Sequence, residues 1–442
     1  MRIALVAMSG IRVRDEELLR LGLTLPGFVE RSKVIASLPS LGLLTLAGMT
    51  PPHHEVQYFE VPDIRTLTAL PEPFELVGIS SYSAQIGEAY ELADRFRRAG
   101  VPVVLGGPHV SALPDEAAVH GDAVVIGHGE LWWPHVLADA EAGSLRSVYG
   151  SREDDYDLAQ APFPAYELLE MERYNRLTVQ TSRGCPHRCT FCAGSVLFSD
   201  HYRQKPAAKV LAEIDKIRSL WRRPFIELAD DNSFVRRDYW LDLLPELARR
   251  RIRWFTETDI SIGEDDRLLE LLADSGCAEV LIGLESPVPE GLNGVETRSN
   301  WKLKRLSSYR DALRNIQDHG IRVNGCFVLG LDGQGPDIFD RVREFVREAD
   351  LFDVQITVLT PFPGTPLYAS LRDENRLTHP GAWDRCTLFD VNFQPSGMSV
   401  LELESGFRSL AVDLYSAPST KRRRSRFNAR LRTHKREEGV AS

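Results

Sequence analysis

Three of the chain's six cysteines fall within eight residues, in the run Thr181-Ser-Arg-Gly-Cys-Pro-His-Arg-Cys-Thr-Phe-Cys-Ala-Gly194. The spacing is Cys-x3-Cys-x2-Cys, through Cys185, Cys189 and Cys192. Offsets of four and three would suit one helix face, but Gly184 and Pro186 oppose a helix through the first cysteine. A loop is expected. Converging soft sulfur ligands favour an iron–sulfur cluster or zinc. Structural zinc takes four ligands, usually in two pairs. No second pair of this kind exists here, and His187 or His201 would have to complete the set. A ferredoxin-like electron carrier supplies a fourth cysteine. What remains is a cluster with one iron lacking a protein ligand, a position where a substrate or cofactor can coordinate. Cys277 and Cys326 lie in apolar surroundings and read as small core residues, and Cys386 has no assignment. No cysteine precedes position 185, and such a cluster in a large chain points to metal binding rather than disulfides.

The elements that position this loop follow from the rest of the chain. Its 442 residues suggest two or three domains, and 43% hydrophobic with 26% charged residues exclude disorder as the main character. The net charge of −10 argues against a nucleic-acid binder, and the run Lys421–Arg426 reads as a solvated helix or tail. Leu41 to Met49, the longest nearly unbroken apolar stretch, is half of what a membrane span needs. Arg2–Met8 reads as a strand, not a signal peptide, so a cytoplasmic protein without a membrane span is expected. Strand candidates Arg2–Met8, Glu55–Val61, Leu76–Tyr82, Val101–Gly107 and Ala123–Gly129 alternate with helix candidates Leu41–Gly48, Gly87–Ala99 and Glu130–Glu141. That alternation implies a doubly wound parallel sheet, with ligands beyond the carboxyl ends of its strands. A second series starts at Leu177, with strands expected at 177–182, 226–229, 254–258, 280–284, 323–329 and 354–359, separated by helices. It suits a parallel barrel or most of one, with chemistry at the C-terminal strand ends. Glu257 and Asp259 end the third strand of that series, where side chains can line a cavity. The expected organisation is a first domain over 1–141, a linker over 142–172, a barrel over 173–365 and a mostly helical extension with a basic tail over 366–442.

The cysteine motif, with Phe191 before its last cysteine and set after a barrel's first strand, resembles that of the radical S-adenosylmethionine (radical SAM) superfamily. Leu281-Ile-Gly-Leu-Glu-Ser286 and Val323-Asn-Gly-Cys-Phe-Val-Leu-Gly-Leu-Asp332 resemble its fourth- and fifth-strand motifs. Pro361-Phe-Pro-Gly-Thr-Pro-Leu-Tyr368 resembles the turn after the sixth strand in the subgroup with an N-terminal cobalamin-binding domain. Ser37–Ala47, Gly78-Ile-Ser-Ser-Tyr82 and Gly106-Gly-Pro-His109 are similar to that domain, which is Rossmann-like. The resemblance implies a partial (β/α)6 barrel and a [4Fe-4S] cluster on Cys185, Cys189 and Cys192. It implies S-adenosylmethionine chelated to the open iron and cleaved by one electron to a 5′-deoxyadenosyl radical, which takes a hydrogen atom from an unactivated carbon. The protein's part is orientation and exclusion of solvent.

From the same resemblance Asp230, Asp231, Glu285 and Ser286 are expected to contact S-adenosylmethionine, and Ser81, Ser83, Gly106 and Gly107 to contact cobalamin. The serines can equally cap the helix that follows. Two departures stand out. The usual Gly-Gly-Glu-like segment after the second strand reads Ala229-Asp-Asp-Asn232, and the Asp-x-His-x-x-Gly cobalamin-ligand motif is missing, since His53, His54 and His109 do not form it. The expected activity is cobalamin-dependent C-methylation of a small-molecule substrate, with an external flavodoxin- or ferredoxin-type electron donor. Its rivals are cobalamin-independent radical cyclisation, rearrangement or C–C bond formation, and a non-catalytic iron–sulfur redox sensor. The sequence does not reveal the substrate.

Overall fold

The computed structural model describes residues 1–9, 18, 38–67, 73–194 and 201–441, with side chains as far as 433. Ser37, which opens one of the segments carrying the resemblance, lies outside them. The first sheet is built from β1 (Arg2–Met8), β2 (Glu55–Val61), β3 (Leu76–Ser80), β4 (Val103–Gly106), β5 (Ala123–Val125) and β6 (Val148–Tyr149). They pair in parallel in the order β2-β1-β3-β4-β5-β6. Helices α1 (Leu41–Met49), α2 (Ile86–Arg98) and α3 (Gly129–Glu141) cover it. Parallel strands buried on both faces need apolar residues on both, and β1 supplies them. Ala4, Val6 and Met8 pack with Phe96 and Leu92 of α2, while Ile3, Leu5 and Ala7 pack with Leu43 of α1 and Trp133 of α3. The order reverses between β1 and β3, which opens a crevice at the carboxyl ends of those strands.

Strands β3, β4 and β5 are shorter than their patterns suggest, because the residues past their ends leave the ladder. Gly107 and Gly127 hold φ of 98° and 74° there. Val148 and Tyr149, in the stretch read as a linker, form the sixth strand. Tyr166 and Tyr174, from the same stretch, are buried in the core of the second domain.

The second sheet holds β7 (Leu177–Val179), β10 (Phe225–Leu228), β11 (Arg253–Thr258), β12 (Cys277–Glu285), β13 (Arg322–Leu329) and β14 (Asp353–Val358), all parallel and in sequential order with β7 and β14 at its edges. A two-stranded ribbon, β8 (Ser182–Arg183) with β9 (Arg203–Gln204), stands over the end of β7. Helices α4 (Ala207–Leu220), α5 (Arg237–Arg250), α6 (Asp266–Asp274), α7 (Tyr309–Asp318) and α8 (Ile338–Glu348) alternate with the strands, giving the partial barrel. Outward residues such as Trp254, Val280, Ile282 and Val354 are sealed under these helices.

Beyond the barrel, α9 (Pro366–Asp373), α10 (Val400–Tyr415) and α11 (Ala417–Ala441) close the chain. Ser399 and Glu402 form a reciprocal capping box at the start of α10. Gly406 lets the Phe339 ring of α8 approach so closely that a Cβ there would stand 2.1 Å from it. The basic run is less solvated than its composition suggests. Arg423 is buried, donates to the Leu414 carbonyl at 2.7 Å and pairs with Asp353 at 3.5 Å, while Arg426 pairs with Asp350 at 3.0 Å. Among the described residues no helix is long and apolar enough to cross a membrane.

Candidate active site

The segment after β7 is a loop, as Gly184 and Pro186 require; Gly184 holds φ of 88° and Arg188 of 50°. A turn joins the last two cysteines, with the Cys192 amide donating to the Cys189 carbonyl at 3.0 Å. The segment before α7 braces the loop. Thr190 N–H donates to Val295 O at 2.8 Å, Thr297 N–H to Arg188 O at 3.2 Å, and Cys189 bridges Glu296. Three thiols carried on one loop suit a multi-iron cluster. His187, the alternative fourth zinc ligand, has its Nε2 2.9 Å from Asp259 and its ring against Trp301.

Asp259 is the anchor of this loop. Its carboxylate also receives the Asn232 amide at 2.8 Å and the Ser261 N–H at 2.9 Å. Burial alone raises this carboxyl, but the hydrogen bonds from His187, Ser261 and Asn232 outweigh it and hold the group well below the usual range. Asn232 also points its amide at Cys185 Sγ, 3.9 Å away. Burial pushes the Cys185 thiol up to about 11 and the Cys189 thiol higher. Both are therefore protonated at neutral pH until a metal displaces the proton. Close to Cys189 lies the buried pair Lys302–Glu285, Nζ to Oε1 2.6 Å, with Nζ also donating to Gly283 O at 2.7 Å. Glu285 holds φ of 60°, and its Oε1 lies 2.6 Å from where a Cβ at Gly283 would stand, so the glycine leaves room for the pair.

The barrel lumen is acidic. On β10 to β14 the accessible inward residues are Glu227, Glu257, Leu281, Gly283, Cys326 and Gln355. Cys326 therefore faces the lumen instead of the core expected from its apolar neighbours, whereas Cys277 is buried. Glu227 is paired with Arg176. Glu257, without a hydrogen bond to its carboxyl among the described residues, is pushed up to about 8 by its desolvated setting and by Glu227, Asp231, Asp230 and Glu285.

Between the two domains lies a cavity of about 300 Å³ at the β1/β3 crevice. Its first-domain wall mixes glycines, among them Gly78, Gly106 and Gly107, with apolar side chains such as Leu5, Leu43 and Trp133; its far wall includes Arg183, Gly194, Ala229 and Asp231, from the cluster loop and the end of β10. A Cβ at Gly107 would stand 2.7 Å from Ser80 Oγ, so the glycine keeps this wall flat. A glycine-rich, mainly apolar wall fits a corrin ring. Arg183 crosses the interface. It reaches His128 Nδ1 at 2.8 Å and Glu130 Oε1 at 2.7 Å in the first domain, and Gln180 Oε1 at 3.0 Å in its own. Burial would raise the Glu130 carboxyl, but Arg183 more than offsets it and holds the group below its ordinary value.

The residues expected from sequence fall into two groups. Gly106, Gly107 and Asp231 line the cavity, and Glu285 sits beside Cys189 through Lys302. Asp230 does not reach a ligand position: it is buried and accepts from Thr181 N–H at 2.7 Å, Ser182 N–H at 2.9 Å, Ser233 Oγ at 3.0 Å and the Thr181 hydroxyl. It ties the cluster loop to β10 instead. Ser286 is fully buried, its Oγ accepting from Val288 N–H and Gln334 Nε2, each at 3.3 Å. Ser81 turns its hydroxyl to the Tyr82 carbonyl, and Ser83 is held 3.0 Å from His109 Nδ1, so Ser80 is the serine on the cavity wall. Arg183 and Lys302 carried no signal in the sequence, because their partners are remote in the chain.

A doubly wound domain faces a partial parallel barrel across one cavity, with the two residues that bracket the three-cysteine loop, Arg183 and Gly194, in its wall. Residues 179–346 match the radical SAM superfamily model, and residues 32–137 match the B12-binding domain model. The chain belongs to the radical SAM superfamily, in the subgroup with an N-terminal B12-binding domain. Its relatives include the bacteriochlorophyllide d C-12(1)-methyltransferase of Chlorobaculum tepidum, 27% identical over 87% of this chain and 84% of that one. They also include the hopanoid C-2 methylase of Rhodopseudomonas palustris, 29% identical over 78% of this chain and 66% of that one. The fold matches the radical S-adenosylmethionine methyltransferase TsrM from Kitasatospora setae, solved with cobalamin and a [4Fe-4S] cluster, with a TM-score of 0.66, 16% identity and 99% of each chain covered.

Proposed function

We propose that the chain is a cobalamin-dependent radical SAM C-methyltransferase acting on a small molecule, as the names of its methyltransferase relatives suggest. The observation that carries this is the shared wall: Arg183 and Gly194, which bracket the loop with Cys185, Cys189 and Cys192, line the cavity together with residues of β1, β3 and β4. In this reading the three cysteines hold the cluster, Asp231 and the Glu285–Lys302 pair flank S-adenosylmethionine, and Gly106 and Gly107 lie against the corrin. When bound, these groups supply one-electron chemistry able to activate an inert C–H bond, together with a transferable methyl group. The chain's own residues orient and shield. Asp259 and Asp230 fix the loop from two sides, Arg183 locks it to the first domain, and the lumen of β10–β14 admits the substrate. The cofactors need an external electron donor of flavodoxin or ferredoxin type, which suits a cytoplasmic enzyme.

The test is anaerobic reconstitution with iron, sulfide and hydroxocobalamin. Expected are bound corrinoid absorbance, a cluster signal lost in the Cys185→Ala, Cys189→Ala, Cys192→Ala variant, and 5′-deoxyadenosine formation under dithionite. A chain that makes deoxyadenosine without retaining corrinoid is a cobalamin-independent enzyme. One that holds the cluster but never cleaves S-adenosylmethionine is a sensor.

A further inference from the structure

At the opposite end of the first sheet from the cavity, His53 and His54 precede β2 and meet Glu141, the last residue of α3. Glu141 Oε1 lies 3.2 Å from His53 Nε2 and 3.4 Å from His54 Nε2, and one ligand atom from each of the three side chains lies within 4.8 Å of the others. Ligands about 2.0–2.1 Å from a tetrahedral zinc stand about 3.3–3.4 Å from one another. Two measured separations are thus those of tetrahedron edges before any ion is placed. The histidine rings lie 4.1 Å apart and tilted by 44°, so they do not stack face to face.

We propose that His53, His54 and Glu141 form a binding site for a divalent transition cation of the zinc class, separate from both cofactor sites. Two nitrogens and a carboxylate oxygen suit a borderline cation, and the exposure of His53 and Glu141 leaves a fourth position for water. The negative end of the α3 dipole adds to the attraction, since Glu141 closes that helix. The His54 Nδ1 lies 3.2 Å from the Met1 amino group, so a metal on Nε2, which leaves the ring proton on Nδ1, needs that amino group in its neutral form to accept it. The ion would staple the start of β2 to the far end of α3, the helix whose first residues, Gly129 and Glu130, line the cavity. It would thus brace the first domain without taking part in the reaction.

The test uses the full chain with its cluster reconstituted, so that Cys185, Cys189 and Cys192 are occupied, equilibrated against buffered free zinc at micromolar levels. Metal is counted by mass spectrometry and the melting temperature is followed with and without zinc. Expected is one zinc per chain beyond the cluster in the wild type, with a raised melting temperature. In His53→Ala and in Glu141→Gln, zinc affinity falls by more than the about 10–100-fold typical of losing a mere outer-shell partner. Both side chains are exposed, so the zinc-free variants are expected to melt as the wild type does. No zinc in the wild type, or one zinc retained with unchanged affinity in both variants, overturns the proposal.

Discussion

Replacing Arg183 by leucine tests whether the two domains are locked through the cluster loop. The substitution removes three contacts, to His128, Glu130 and Gln180, and leaves the Glu130 carboxylate only 12% exposed with its cationic partner gone. Breaking a buried ion pair by deleting one member costs about 3–5 kcal/mol. Because Arg183 keeps 18% exposure, the lower end applies, about 3 kcal/mol. Glu130→Gln keeps the shape and removes the charge. A double-mutant cycle between the two sites should therefore return a coupling of about 1.5–3 kcal/mol, the range for a hydrogen bond to a charged group. The assay is equilibrium urea unfolding of the four proteins, paired with corrinoid retention after gel filtration. Arg183→Leu should lose corrinoid while retaining the cluster, whose ligands are untouched. A cost below about 1 kcal/mol, of the size seen for surface pairs, would refute the lock. So would a coupling near zero.

Gly107→Ala should destabilise by about 1–3 kcal/mol, because φ 98° with ψ −175° is a region open essentially to glycine alone, and it should also abolish corrinoid retention. Gly100→Ala is the control: it shares a positive φ of 81° but meets no atom within 4 Å, so it should lose stability and keep corrinoid. Glu257→Gln should alter the pH dependence of stability. A carboxyl held at about 8 when folded, against about 4.3 unfolded, binds more protons in the native state over that interval. Its contribution therefore declines as pH rises from about 4.3 to about 8 and stays low above that. The variant should melt as the wild type does at pH 4 and above it at pH 9, and an equal difference at both pH values would remove Glu257 from the lumen's charge balance.

The parallel architecture was legible because the first sheet is buried on two faces and the second on its helix-covered face. Runs such as Ile3-Ala-Leu-Val-Ala-Met8 are apolar throughout, and the intervening helices carry one apolar stripe. The loop character of the cysteine segment was legible from Gly184 and Pro186. Strand β6 was not, since two residues carry no period. The serines illustrate what the pattern leaves open: past the end of β3 the chain turns, so Ser80 faces the crevice while Ser81 and Ser83 bond to Tyr82 and His109. Cys326 was hidden because successive strand residues face opposite ways, and its buried neighbours Gly325 and Phe327 point away from the lumen it faces. Arg183 and Glu130 are 53 residues apart, and only the packing of one domain on the other makes them partners.

The charges around the cavity follow one logic. Four carboxyls, Glu227, Asp231, Glu257 and Glu285, gather where the strands end, and like charges this close cannot all ionise without partners. Arg176 answers Glu227, Lys302 answers Glu285, and the Gly184 N–H, 2.9 Å away, answers Asp231. Glu257 is left over, and desolvation first and the neighbouring carboxyls second raise its pKa. A lumen with a surplus acid is poised for a guest that brings positive charge, as the sulfonium and ammonium of S-adenosylmethionine do.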